Sequence, residues 1–382
     1  MSPRGSARRR PGVAAWRLAA AGALVLVLVG ACRPSDPRRL PLSGPLPQVG
    51  GTLVFPRPGG LWSFRPSTAT KRLLRPFSPG AYVGDPAASP DGRLIAYTAL
   101  FPNPDGSYPQ GTDVYVMSAD GQTQRRVVAY DAEAGSAMQP AWDRRGQRLF
   151  IVRQTREAAT RIEEVALDGT RLRVVVADGS WPTVAPDGAV AYLSTDRQTR
   201  RLQLWIREPG HPPRLLAGGA FLGLVAPRFA PDGRRIVFSG FGGPPMRAKR
   251  SADAAGPGRA ASAQATPAGG ARSAPRERAM PPAGWQDGLR SQVLNRRPGP
   301  ARVQAHGIPW DLWMVARDGS GLARLTEVAE DGITPAWSPD GRWIAFTGEL
   351  GLFLYETATA RLLRLTDESV GGGITWLRET GP

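Results

Sequence analysis

Residues 335–346 read Pro-Ala-Trp-Ser-Pro-Asp-Gly-Arg-Trp-Ile-Ala-Phe, and this stretch decides the fold. Its Ser-Pro-Asp-Gly-Arg part predicts a tight turn, because glycine adopts positive φ and aspartate accepts hydrogen bonds from nearby backbone N–H groups. The apolar run that follows predicts a β-strand. Similar phrases stand at 89–93, 185–188 and 230–234, and a degenerate copy stands at 143–146.

The spacing of these copies is typical of β-propeller blades. When Pro90, Arg144, Pro186, Pro231 and Pro339 are taken as markers, successive copies lie 54, 42, 45 and 108 residues apart. The last spacing contains an insert at 243–306. Self-similarity at roughly 40–50 residues, with several strands in each unit, predicts a propeller.

The ends of the repeat region predict how the ring closes. Five units carry all four predicted strands, whereas the first has only three, at 52–55, 61–64 and 72–74. The last apolar run, 374–377, has the pattern of a first strand and can complete that blade. The sequence therefore predicts an all-β fold over 49–379, a six-bladed β-propeller whose N- and C-terminal strands close one blade and leave no open edge in the ring.

The phrase at 335–346 resembles the repeat of the TolB-like six-bladed propellers, which are related to the WD-repeat propellers. The resemblance covers 49–379 apart from the insert and implies the fold. TolB itself carries an additional α/β domain before its propeller, and only a short tether stands here. A role in the Tol–Pal system is therefore not implied; the layout is closer to that of the mycobacterial-type propeller lipoproteins.

The first 31 residues have the pattern of a bacterial lipoprotein signal peptide. Arginines 8–10 precede an apolar run at 18–29, which is short for a membrane span. The run ends in Val29-Gly30-Ala31-Cys32, which resembles a lipobox. We predict lipidation of Cys32, a flexible tether at 32–48, and an extracytoplasmic protein anchored to the bacterial membrane by lipid. An ordinary signal peptide and an uncleaved anchor are the alternatives.

The charge distribution argues against a nucleic-acid-binding protein. The net charge is +17, but residues 1–31 contribute five arginines and no acid, and the insert has eleven basic and three acidic side chains. Nucleic-acid binding requires basic side chains on a folded face. The single cysteine also excludes a disulfide within one chain.

The composition of the insert, 243–306, predicts disorder. It is dominated by Ala, Gly, Pro, Arg and Ser, and such segments bury too little apolar surface to offset the entropy of ordering. A short helix at 285–294 is the exception that the sequence allows.

Acidic side chains recur in the loops that follow the fourth strands. These loops share a face of a propeller with the loops between second and third strands. The sequence therefore predicts a possible acidic face that binds a cation or a basic partner, with ordinary solvated loop charge as the alternative. Its residues are Asp131, Glu133, Glu327, Glu330, Asp331, Asp367 and Glu368.

Patterns of catalysis and metal binding are scarce. The sequence has no Gly-x-Ser-x-Gly elbow, no Walker loop and no zinc pattern, and no cofactor is expected. We interpret both histidines as solvated loop residues, the aspartates of the repeated phrase as turn residues, and three tryptophans as packing between blades. These residues are His211 and His306; Asp91, Asp187, Asp232 and Asp340; and Trp142, Trp337 and Trp376.

The functional prediction is a lipid-anchored cell-envelope protein whose propeller is a platform for another protein or a glycan. We expect a monomer attached to the membrane through Cys32 that does not bind nucleic acid. The alternative is a metal-assisted hydrolase or lyase that uses carboxylates in the central funnel. Converging carboxylates from several blades would favour that enzyme.

Overall fold

The computed structural model describes residues 48–245, 310–368 and 370–379, and these residues form a ring of six four-stranded antiparallel sheets. Each sheet is one blade, and the first strands of neighbouring blades are in contact around the ring. The prediction of an all-β, six-bladed β-propeller is confirmed. Among the described residues, no helix is long and apolar enough to span a membrane.

The strands are numbered along the chain. Blade one contains β1 (Thr52–Arg57), β2 (Gly60–Arg65), β3 (Thr70–Pro76) and the final strand β24 (Thr375–Leu377). Blade two contains β4 (Tyr82–Ala88), β5 (Leu94–Leu100), β6 (Asp113–Ser118) and β7 (Gln124–Val128). Blade three contains β8 (Ser136–Trp142), β9 (Arg148–Gln154), β10 (Thr160–Ala166) and β11 (Arg171–Val176).

Blade four contains β12 (Ser180–Val184), β13 (Val190–Thr195), β14 (Leu202–Arg207) and β15 (Arg214–Ala217). Blade five contains β16 (Phe221–Phe229), β17 (Arg235–Gly242), β18 (Trp310–Ala316) and β19 (Ala323–Arg324). Blade six contains β20 (Thr334–Trp337), β21 (Trp343–Gly348), β22 (Gly351–Glu356) and β23 (Leu362–Arg364).

The first and the last described strands close the ring as predicted. β24 pairs with β1 in the register Leu53 opposite Trp376, and the sheet order is β24-β1-β2-β3. The C-terminal strand is therefore the innermost strand of blade one. Ile374 and Trp376 are buried in a cluster with residues of blade six, so closure joins the last blade to the first.

The core consists of apolar layers between neighbouring blades. Second strands pack against a blade on each side, and β21 is buried along its whole length. Fourth strands lie at the rim, where β3 exposes its first four residues. One layer, between blades four and five, contains Leu193, Phe238 and Trp313.

The repeated aspartates cap the turns between first and second strands. Asp340 accepts hydrogen bonds from Ser338 Oγ at 2.6 Å and from the N–H of Arg342 at 3.1 Å, and Gly341 has a φ of 69°. Asp91, Asp187 and Asp232 accept the corresponding N–H bonds of Arg93, Ala189 and Arg234. Their predicted structural role is confirmed.

The predicted tryptophans join neighbouring blades. Trp142 Nε1 donates to the carbonyl oxygen of Ala87 in blade two at 2.8 Å, and Trp337 Nε1 donates to that of Arg228 in blade five at 3.1 Å. Trp376 Nε1 donates to Gly50 O at 3.1 Å within blade one, and its side chain is buried in a cluster that includes residues of blade six. The tryptophans therefore serve packing, as predicted.

Several predictions lie outside the described residues. They include the signal peptide at 1–31, Cys32, most of the tether at 32–48, and the disorder and short helix of the insert. The described strands β17 and β18 do show that the insert separates the second and third strands of blade five.

Candidate functional site in the central channel

The innermost strands of four consecutive blades are interrupted at the same position of the repeat. Asp85, Gln139, Trp181 and Ala226 have φ between 50° and 52°, and the strand register shifts around each of them. Each stands five residues before the marker of the following turn. Positive φ is costly for residues other than glycine, and bulges redirect side chains, so this recurrence indicates a candidate site.

First strands line the central channel of a propeller. We call Asp85, Gln139, Trp181 and Arg228 the channel ring; Arg228 lies two residues after the interruption in blade five. Blades two and five stand opposite each other in a ring of six. Asp85 and Arg228 therefore lie on opposite walls of the channel.

Asp85 is held in place by its neighbours in three blades. Its Oδ2 accepts a hydrogen bond from Thr98 Oγ1 at 3.0 Å, and its N–H donates to Gly372 O at 2.8 Å. The N–H of Gln139 donates to the same Thr98 hydroxyl at 3.0 Å. These bonds fix the carboxylate at the boundary between blades one, two and three.

Arg228 occupies the opposite wall. Its Nη1 donates to Pro227 O at 2.9 Å, and its guanidinium carbon lies 5.9 Å from the centroid of a Trp181 ring. This distance is typical of a cation–π contact. The N–H of Trp181 in turn donates to Gln139 Oε1 at 2.8 Å, so the ring is linked from blade three to blade five.

The two charges of the channel ring are not paired. Within the described residues, Asp85 and Arg228 form no ion pair of 4.0 Å or less with each other or with another side chain. Burial raises the pKa of Asp85, although hydrogen bonding and the charge of Arg228 oppose the shift. Burial likewise lowers the pKa of Arg228, opposed by the charge of Asp85. The channel thus contains a carboxylate and a guanidinium that can each take another partner.

Asp85 should make stability depend on pH. The folded protein holds the proton of the Asp85 carboxyl group more tightly than the unfolded chain does. The resulting contribution to the free energy of unfolding is fully present below the ordinary aspartate pKa of about 3.9, and it is lost as pH rises through the raised pKa. Near pH 3, about one pH unit below the ordinary aspartate pKa, we expect Asp85→Asn and the wild type to have the same melting temperature. At neutral pH we expect the variant to have the higher melting temperature. Thermal unfolding across this range is the measurement.

A matched control is Asp178→Asn, which changes an exposed carboxylate in the loop after β11. Its melting temperature should change with pH in the same way as that of the wild type. If the melting temperature of Asp85→Asn also follows that of the wild type across this pH range, the raised pKa is contradicted.

The predicted acidic residues do lie in loops between the fourth strand of one blade and the first strand of the next. Those loops lie at one end of the channel, which we call the loop face. The Pro-Asp-Gly turns lie at the other end, which we call the turn face. Four of the seven side chains are exposed: Asp131, Glu133, Glu327 and Asp367. Their role in binding remains a prediction.

Two of the predicted acidic side chains contact other parts of the protein instead of facing solvent. Glu330 is buried, and its Oε2 accepts from the N–H of Leu350 at 3.1 Å; burial raises its pKa. Glu368 contacts Arg57 and lies 2.5 Å from Lys71 Nζ, and these cations lower its pKa. Asp331, the remaining residue, is half-buried.

The loop face is also less uniformly acidic than predicted. Loops between second and third strands add basic side chains in blades three and four, namely Arg156, Arg197, Arg200 and Arg201. The sequence interpretation counted only the loops after fourth strands. The same loops also carry Glu157 and Asp196, so the face presents acidic and basic side chains together.

The histidines fit their predicted role where the structure describes them. His211 is exposed, and its Nδ1 lies 3.0 Å from Pro209 O. His306 lies outside the described residues. Among the described residues, no group of three or more His, Cys, Asp or Glu side chains could hold a metal ion.

The sequence interpretation missed the channel ring, although a signal was present. The four interrupted positions recur with the same spacings, 54, 42 and 45 residues, as the turn markers. They carry a different residue type in each blade, Asp, Gln, Trp and Ala. A search for repeated residue types finds the turns. The channel ring escapes such a search because its position recurs in each blade while the residue type changes.

Comparison with known proteins agrees with this architecture. Residues 59–191 match the model of the lipoprotein LpqB beta-propeller domain, and no curated protein matches the chain. TolB from Acinetobacter baumannii has a similar structure, with 13% sequence identity, a TM-score of 0.54, and coverage of 94% of this chain and 71% of that one.

A chain in the crystal structure of a nidogen/laminin complex is similar at 12% identity and a TM-score of 0.55, with coverage of 87% of this chain and all, 100%, of that one. At these identities the structural likeness concerns the fold. The chain is therefore a six-bladed β-propeller that is similar in fold to TolB, and its residues 59–191 match the LpqB propeller domain.

Proposed function

We propose that this protein is a lipid-anchored envelope protein whose propeller binds another envelope protein or a glycan where the channel opens on the loop face. The observation that carries the proposal is the channel ring. Asp85 and Arg228 are half-buried charges without an ion-pair partner in the described structure. Half-buried charges without partners cost folding free energy, and proteins keep such arrangements at binding sites.

The exposed loop carboxylates support this location. Asp131, Glu133, Glu327 and Asp367 lie on the face where the channel opens. Exposed charges of one sign steer an oppositely charged partner to a surface. Because arginines lie on the same face, this steering acts on a partner whose basic area meets the four carboxylates, and it is stronger at low ionic strength.

The enzyme alternative has less support. A metal-assisted hydrolase or lyase needs several carboxylates or histidines converging on one point. In the channel ring, Asp85 is the carboxylate, and the facing group is a guanidinium. The described residues therefore favour recognition over metal-assisted chemistry.

The binding role is tested by capture from native membranes with two pairs of variants. Asp85→Asn and Arg228→Gln change the channel ring, and Asp178→Asn and Arg145→Gln make the same chemical changes at exposed positions. We expect the partner recovered with the wild type to persist in both controls and to fall about tenfold in both ring variants, as for a lost charge-assisted contact. Equal recovery with all four would place binding elsewhere.

Anchoring is tested at Cys32. Cys32→Ala removes the thiol that would carry the lipid, so we expect the protein to leave the membrane fraction or to persist as an uncleaved precursor. Two acyl chains hold a protein at about 0.8 kcal/mol per buried methylene, enough for stable attachment. Mass spectrometry of the wild-type N-terminus is the direct measurement. A mature chain without lipid, or one that begins elsewhere, would contradict the anchor.

A further inference from the structure

The charges of the channel ring have opposite sign and face each other from opposite blades. Asp85 stands in β4 and Arg228 in β16, the first strands of two opposite blades, and both side chains are half-buried. They form no ion pair of 4.0 Å or less with each other or with another described side chain. Two unpaired groups of opposite sign on facing walls of one channel match a ligand that carries one charge of each sign.

Both groups have hydrogen-bonding capacity left after their contacts within the protein are counted. A carboxylate accepts up to about four hydrogen bonds, and the described partners of Asp85 are Thr98 Oγ1 and the backbone of Gln139. A guanidinium has five N–H donors, and that of Arg228 donates one to Pro227 O. Asp85 can therefore accept from an ammonium group, and Arg228 can donate to a carboxylate.

Ligands with one charge fit this site poorly. A simple cation would satisfy Asp85 and add repulsion to Arg228, and a simple anion would do the reverse. A ligand with both charges satisfies both groups and brings no net charge into a half-buried site, where uncompensated charge is costly. The face of Trp181 beside Arg228 adds a surface for an apolar side chain.

We infer that the channel ring binds a zwitterionic ligand of the α-amino-acid type, with its ammonium group on Asp85 and its carboxylate on Arg228. The inference rests on the proposed function in that it takes the channel as the binding site. It adds the chemical class that is recognised there. A free amino acid and the exposed amino-acid group of a larger molecule share this chemistry.

The test is equilibrium dialysis of the full lipidated protein against L-leucine and two analogues. 4-Methylpentanoate keeps the carboxylate and lacks the ammonium group, and 3-methylbutylamine keeps the amine and lacks the carboxylate. We expect L-leucine to bind about tenfold more tightly than either analogue, because each analogue loses one charge-assisted hydrogen-bonding group. Glycine, L-phenylalanine and L-glutamate extend the panel to other side chains.

The ring variants assign the two ends of the ligand. Asp85→Asn should weaken L-leucine about tenfold and leave 4-methylpentanoate unchanged, whereas Arg228→Gln should weaken both. Asp178→Asn and Arg145→Gln, at exposed positions, should change neither. Melting curves for every variant verify that the propeller is folded.

An N-acetylated and a C-amidated leucine distinguish the two sources of the chemistry. If L-leucine binds and both blocked forms fail, the ligand is a free amino acid. If one blocked form binds as tightly as L-leucine, the ligand is the corresponding end of a longer molecule.

The inference is overturned if no amino acid of the panel binds more tightly than its single-charge analogues, or if the ring variants bind L-leucine like the wild type. Capture from membranes separates this result from failure of the proposed function. A partner that is lost in the ring variants, without amino-acid binding, would retain the channel as a binding site and reject the zwitterionic ligand.

Discussion

Deletion of residues 372–382 is expected to unfold the propeller. The deletion removes β24, which supplies the innermost strand of blade one and pairs with β1 at three positions. It also removes Ile374 and Trp376, which are 1% and 6% exposed. Two contacts between blades are lost with it, because Gly372 O accepts from Asp85 N–H and Thr375 Oγ1 accepts from Ala88 N–H.

The expected effect exceeds that of an ordinary core mutation. Truncating one buried tryptophan costs about 3–5 kcal/mol, and an isoleucine costs about 2–5. Together these approach the whole stability of many domains, about 5–15 kcal/mol. The deletion also leaves the inner edge of β1 unpaired, and such an edge favours aggregation.

Thermal unfolding followed by circular dichroism measures this effect. We expect the truncated protein to lack the cooperative transition of the wild type, or to melt at least 15 °C lower, at roughly 2–4 °C per kcal/mol for a chain of this size. Removal of residues 380–382 alone leaves β24 intact and is the control. A 372–382 deletion that melts like this control would show that the final strand is dispensable for closure.

Replacement of Glu163 by alanine is expected to cost about 3–5 kcal/mol, as for one partner removed from a buried ion pair. Its side chain is 2% exposed and lies in β10. The carboxylate contacts Arg153 Nε at 3.3 Å, Arg161 Nε at 2.7 Å and Arg171 Nη1 at 3.7 Å. Without Glu163, Arg153 would keep its charge in a place where it is only 12% exposed.

Chemical denaturation gives the free energy of unfolding for this variant and its control. Glu157→Ala changes an exposed glutamate in the loop before β10 and should shift stability by less than about 0.5 kcal/mol. Replacing both Glu163 and Arg153 by methionine should recover most of the loss, because a buried pair can be exchanged for apolar groups at little cost. A Glu163→Ala variant as stable as the control would mean that water reaches Arg153.

The strand Thr160–Ala166 shows what local pattern could and could not predict. Its residues favour a third strand, and the following Asp168-Gly169 turn predicts where it ends. In a strand, neighbouring side chains point to opposite sides, so Glu163 and Glu164 face different environments. Which arginines meet them depends on the register with β9 and β11, and that register is set by packing between blades.

The acidic loops show a similar division. Topology places them on one face, because every loop from a fourth strand to the next first strand leaves the same end of a blade. Whether a given carboxylate is open to solvent depends on its neighbours. Glu330 turns inward to the N–H of Leu350, and Glu368 pairs with Arg57, which is distant in sequence.

By itself the sequence determined the architecture of this protein. Turn chemistry and apolar runs act over a few residues, and their repetition is enough to predict six blades, their turns and the strand that closes the ring. The tertiary structure alone decided the channel ring. Asp85 and Arg228 are 143 residues apart along the chain, and they line the same channel because six blades bring their first strands to one axis. The placement of both residues on one channel follows from closure of the whole ring, and no local stretch of sequence encodes it.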